Sequence, residues 1–150
     1  MMKRLMVGVL GVVALALAAG GCASMESDSM MAKKPLYDRL GGKPAITAVV
    51  DDFIGNVAGD NRISRRFAGA NIPRLKTMLV DQVCEATGGP CKYSGQSMLD
   101  VHRGMNITDA EFTALVEDLA KSLDKFKVPA QEKTELLTAL GGLNPQIVGK

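Results

Sequence analysis

Between Pro44 and Ala58 the apolar residues Ile46, Val49, Val50, Phe53, Ile54 and Val57 recur at steps of three and four. That is the period of a helix buried along one face, so the spacing predicts a helix over 44–58, closed by the polar stretch GDNRIS. A second helix is predicted behind Asn71, whose side chain can cap the first turn, with Pro73 tolerated there and Ile72, Leu75, Leu79 and Val83 on its apolar face. Gly88 and Gly89 stop it. Met98, Val101, His102 and Met105 share one face of a short third helix, from which Gly104 releases the chain. Thr108 to Glu111 (TDAE) is a capping box, and behind it Phe112, Leu115, Val116, Leu119, Leu123 and Phe126 form the stripe of a fourth helix. Pro129 opens a fifth, with Leu136, Leu137, Leu140 and Leu143 on its face and Gly141 and Gly142 near its end. No stretch alternates with period two for long enough to make a strand, and no internal repeat is present, so the expected class is all-α.

The first twenty-two residues break this pattern. Lys3 and Arg4 precede the apolar run LMVGVLGVVALALAA and then GGC, which reads as an export signal. Small residues directly before Cys22 favour cleavage over a permanent membrane helix. AGGCAS resembles the lipobox of bacterial lipoproteins, although Ala19 stands where leucine is commoner, and in such proteins the cysteine becomes the acylated N-terminus. The expectation is a lipid anchor on Cys22 in the cell envelope, facing the periplasm; the alternative is an exported protein cut nearby. Residues 23–34 (ASMESDSMMAKK) have neither helical nor strand period and are expected to form a flexible tether to a domain spanning 35–150.

Charge excludes one class of partner. Without Lys3 and Arg4 the 18 basic residues become 16, equal to the 16 acidic ones, so a nucleic-acid partner is not expected. Cys84 and Cys91 bracket EATGGP; in an oxidising compartment they would close a short disulfide loop, and the alternative is two unpaired thiols.

The chain has a single histidine, His102, and its apolar neighbours leave two readings open. A core imidazole needs only hydrogen-bond partners for its ring nitrogens. A metal ligand offers one lone pair while the other nitrogen donates to a carbonyl that fixes the tautomer. Structural zinc is excluded, since it takes about four protein ligands and no suitable Cys or Asp/Glu cluster accompanies the histidine. Haem needs only one axial ligand from the protein, because the porphyrin supplies four nitrogens.

In order along the chain, LYDRLGGKPAI, VVDDF, FAGAN–IPRLK, TGGPCKYSGQSM, DVHRGMNIT and the stripe after Phe112 resemble the group I truncated haemoglobins, from about Leu36 to the C-terminus. The resemblance implies a two-over-two helical sandwich holding haem b, with glycine motifs at Gly41–Gly42 and Gly88–Gly89 and His102 as the proximal iron ligand. It puts Phe67 against the haem, Lys76 near a propionate, and Tyr93 and Met98 near the proximal edge. Leu75 and Leu79 become distal wall, and Ile107, Phe112 and Leu119 become apolar lining.

Two departures from the family pattern bear on function. Ile54 stands where members usually carry a ligand-bonding tyrosine, and Leu79 replaces a distal glutamine. An O2 ligand without its hydrogen bond loses about 1 kcal/mol, which favours the less polar CO and NO. Gln82, Met78 or Lys76 could lean inward from the same helix, and Lys76 or Met78 could supply a sixth ligand for electron transfer. The expectation is a globin that binds O2, NO or CO reversibly, with no catalytic side chain named. Nitric oxide dioxygenation with an unidentified reductase, or peroxidase-like chemistry, is a further family activity. The competing reading is a haem-free helical lipoprotein acting as an interaction module.

Overall fold

The computed structural model describes residues 34–150, which form helices and one isolated β-bridge. The expected export signal, Cys22 and all of the expected 23–34 tether except Lys34 lie outside the described residues.

Pro35 leads into a short helix, α1 (Leu36–Arg39), which the periodicity did not predict. Gly41 and Gly42 then turn the chain with φ of 93° and 73°, a region that disfavours side chains. A Cβ on Gly41 would lie 3.0 Å from that of Ala45. The second helix, α2 (Gly42–Gly59), starts two residues before Pro44 and buries the predicted face of Ile46, Val49, Val50, Phe53, Ile54 and Val57. Within the polar stretch after it, Ser64–Phe67 winds into a 3-10 turn.

Asn71 caps α3 (Ile72–Ala86) by accepting the Arg74 N–H at 3.0 Å, as its side chain predicts. Cys84 and Cys91 are joined in a disulfide, with Cα atoms 5.7 Å apart. Gly89 sits so tightly in this corner that an added Cβ would lie 2.4 Å from the Tyr37 ring and 2.7 Å from the Cys84 sulfur. The corner therefore joins the end of α3 to the start of the domain.

Ser97 caps α4 (Met98–His102), which ends before Met105 because Gly104 takes φ of 80°. The capping box opens α5 (Asp109–Lys125) with both reciprocal bonds formed. Phe126 lies just past this helix and is 44 % exposed, so the buried stripe ends at Leu123 and not at Phe126. Pro129 precedes α6 (Ala130–Gly141), and a last turn, α7 (Asn144–Ile147), follows.

The α2–α3 pair packs over the α5–α6 pair, with α2 against both α3 and α5, α1 against α2 and α6, and α7 beside α4. This is a two-over-two helical sandwich. After α7 the chain returns to the histidine region, where Ile107 and Val148 form the bridge and Gly149 N–H donates to the Ile107 carbonyl at 2.9 Å.

Polar ties also cross this apolar packing. Arg39, with 5 % of its side chain exposed, binds Glu132 at 2.8 Å and also Glu135, fastening α1 to α6. Between α2 and α5, the Ser122 hydroxyl donates to Asp52 and accepts from the Asn56 amide, both at 2.9 Å. Ser122 is fully buried, so these bonds replace the water it has lost.

Candidate functional site

A cavity of about 660 Å³ opens between α2, α3, the 93–96 loop and the helices α4 to α7. That volume lies in the range of small-molecule and cofactor pockets. The wall from α3 is a helical stripe: Asn71, Arg74 and Leu75, Met78 and Leu79, Gln82 and Val83 fall on one face. Solvent-exposed Asn71, Arg74 and Gln96 place a polar mouth on an otherwise apolar slot. Among the described residues Arg74 has no ion-pair partner.

The cavity brings together most of the residues chosen from sequence. Phe67, Leu75, Leu79, Tyr93, Met98, His102, Phe112 and Leu119 all line it. Lys76 does not, because its ammonium pairs with Asp51 at 2.8 Å. Ile107 is also off the wall, 9 % exposed in a smaller cluster with Phe112 and Ile147. Ile54, at the position of the missing tyrosine, is buried in the main core, and α2 offers the cavity Val50 and Phe53 instead. Met78 and Gln82 do reach the cavity. Sequence reasoning passed over Arg74 and Asn71, although both continue the Leu75–Leu79 stripe by helical steps.

His102 shows how its element prepares it. Nδ1 lies 2.7 Å from the carbonyl oxygen of Met98, one turn earlier in α4. A carbonyl oxygen only accepts, so Nδ1 carries a proton, and it is Nε2 that has the lone pair in the neutral ring. Among the described residues the ring has this one hydrogen-bond partner, and Nε2 has none.

The middle of the α3 wall is poor in donors. The side chains of Leu75, Met78 and Leu79 carry neither N–H nor O–H, and the Gln82 amide donates to the Met98 sulfur at 3.3 Å. The Tyr93 hydroxyl donates to the Gln96 carbonyl at 3.0 Å.

These features fit haem. Among the described residues no group of three His, Cys, Asp or Glu side chains could hold a metal, so an ion at His102 must bring most of its ligands with it. A flat apolar macrocycle with acidic side chains does so, and it suits a greasy slot whose mouth carries an uncommitted guanidinium.

Comparison with known proteins gives the same picture. The profile of the bacterial-like globins matches residues 35–148. The chain is 38 % identical over 112 residues to a group 1 truncated haemoglobin of Mycolicibacterium paratuberculosis, covering 75 % of this chain and 82 % of that protein. It is 31 % identical over 121 residues to one of Tetrahymena thermophila, covering 80 % of this chain and all of the other. The crystal structure of the Tetrahymena pyriformis truncated haemoglobin in its Fe(III) form superposes with a TM-score of 0.76 at 28 % identity, over 78 % of this chain and all of that one. Fold, pocket and relatives agree, and this chain belongs to the bacterial-like globins as a group 1 truncated haemoglobin.

Proposed function

We propose that this protein is a haem b globin of the cell envelope that binds diatomic gases reversibly on the side of the iron opposite His102. The observation that carries the reading is the Nδ1–Met98 hydrogen bond, which leaves Nε2 uncommitted on a histidine that lines a cofactor-sized apolar cavity. When bound, haem supplies an iron with one coordination position open to a gas. The residues of this chain would supply the rest: Nε2 of His102 would ligate the iron, Phe67, Leu119 and Phe112 would exclude water, and Arg74 would meet the acidic edge.

The apolar face of Leu75, Met78 and Leu79 ranks the ligands. Without a donor from these residues O2 is held less firmly than in a polar pocket, whereas CO and NO lose little. Gas binding therefore ranks above oxygen-dependent removal of NO, which would also need a reductase as partner. The formed cavity and the poised imidazole weigh against a haem-free interaction module.

The anchor belongs to the same proposal. The export signal and the lipobox-like AGGCAS support lipid attachment at Cys22 and exposure to the periplasm. The Cys84–Cys91 disulfide suits an oxidising compartment. Metabolic labelling with a fatty acid tests it: the wild type should take up label and Cys22→Ser should not.

The gas-binding reading is tested by adding haem to the purified chain and recording ferric, ferrous and CO-bound spectra. A Soret band that saturates at one haem per chain and shifts with CO is expected. A stably folded, colourless protein sinks the reading.

A further inference from the structure

We propose that Arg66 is a positioning residue for the haem ligand: its guanidinium, locked onto Glu111, holds the backbone that follows His102 and thereby sets how the imidazole meets the cofactor. The inference rests on haem being bound at His102.

The chain leaves α4 through a segment with few regular bonds of its own. Gly104 has φ of 80° and Asn106 φ of 49°, the latter uncommon for a residue with a side chain. Helical hydrogen bonding therefore does not hold this stretch. Two contacts from outside do: the Asn106 N–H donates to the Lys150 carbonyl at 2.7 Å, and one residue nearer the histidine Arg66 Nη1 donates to the carbonyl of Met105 at 2.9 Å, whose own N–H donates to the His102 carbonyl at 3.0 Å. One hydrogen bond separates the guanidinium's grip from the histidine's own backbone.

The guanidinium is itself fixed. Nε and Nη2 donate to the two oxygens of Glu111 at 2.7 and 2.9 Å, a two-pronged contact that sets the plane of the group. Glu111 also accepts from the Thr108 N–H at 3.0 Å and hydroxyl at 3.1 Å, and only 9 % of the residue is exposed. With two prongs committed, the direction of the third donor toward Met105 follows. A lysine ammonium keeps the charge and loses this fork.

The pair also joins two chain segments that line the cavity. Arg66 precedes Phe67 and Glu111 precedes Phe112, and both phenylalanines line the cavity with His102. The other fork, Arg39 on Glu132 and Glu135, ties α1 to α6, and none of the three residues lines the cavity. It is the natural control.

The test uses the haem-loaded full chain and the variants Arg66→Lys, Glu111→Gln and Arg39→Lys. Two quantities are read: the iron–histidine stretching band of the ferrous, ligand-free protein and the rate of haem transfer to an apomyoglobin acceptor. Arg66→Lys and Glu111→Gln should each shift or broaden the band and speed haem loss about tenfold, the scale of losing a ligand's supporting contact. Arg39→Lys should lower the melting temperature and leave both quantities alone.

The proposal is overturned if Arg66→Lys and Glu111→Gln give the wild-type band and loss rate, or if Arg39→Lys moves them equally. If Arg66→Lys does not fold, Glu111→Gln decides. Failure of both to fold where Arg39→Lys folds also overturns it, since the pair then serves the fold as a whole. A wild type that takes up no haem defeats the gas-binding reading itself, whereas a red wild type with unmoved variants defeats only the role of Arg66.

Discussion

Nδ1 of His102 and the carbonyl oxygen of Met98 lie 2.7 Å apart within a single turn of α4. Both partners sit in one five-residue helix, so the element that presents the ring also fixes its tautomer. His102→Ala removes the ligand and leaves the slot. Haem retention should fall at least tenfold and the Soret band should shift, while added imidazole restores both in part. Unchanged haem retention in this variant would mean that iron is bound elsewhere.

Arg74 and Lys76 separate by two residues and by environment: one lines the cavity, the other pairs with Asp51. Arg74→Gln should speed haem loss by up to about fivefold, the scale of a partly exposed charge pair. Lys76→Gln should leave the rate unchanged. The comparison is a haem-transfer assay on the two variants, and the opposite ranking would return the anchoring role to Lys76.

Leu79→Gln places an amide donor on the apolar side of the cavity. A hydrogen bond worth about 1 kcal/mol should slow O2 dissociation roughly fivefold. CO dissociation should hardly change, because CO accepts hydrogen bonds poorly. Stopped-flow measurement of both rates decides, and equal changes for the two gases would point to altered access and not to polarity.

Acid should loosen the domain through Glu111. Hydrogen bonds from the Arg66 guanidinium, then from the Thr108 N–H, hold its carboxyl down at about 2 against an ordinary value of 4.5. A depressed folded-state value stabilises above the unfolded one, so this contribution is present above about pH 4.5 and disappears as the pH falls toward 2. Asp60 behaves alike, held near 2 by Arg62. Melting temperature should drop across that window, and Glu111→Gln should make the drop shallower. An identical slope in the variant would remove Glu111 from the acid response.

Much of the fold was legible in the sequence because its signals are local. The face of α2, the Asn71 cap and the Thr108–Glu111 capping box each follow from residues within a turn or two of one another. Errors came where a local period ran on past its structural reason: Phe126 continues the stripe of α5 by spacing, yet the helix has ended and the ring faces solvent. The short turns α1 and α7 carry too few residues to show a period and are held by packing on α6 and α4.

The site divides in the same way. By itself the sequence determined that a lone imidazole shares a helix face with apolar side chains, since three- and four-residue steps dictate that wherever the helix docks. Only the tertiary structure decided that Arg74 and not Lys76 borders the cavity, that Val50 and Phe53 and not Ile54 reach it, and that Cys84 and Cys91 pair. The clamp of Arg66 on Glu111 joins residues 45 apart in the chain, and the bond of Ser122 to Asp52 joins residues 70 apart. Those distances depend on how whole helices pack, and no pattern along the chain carries that information.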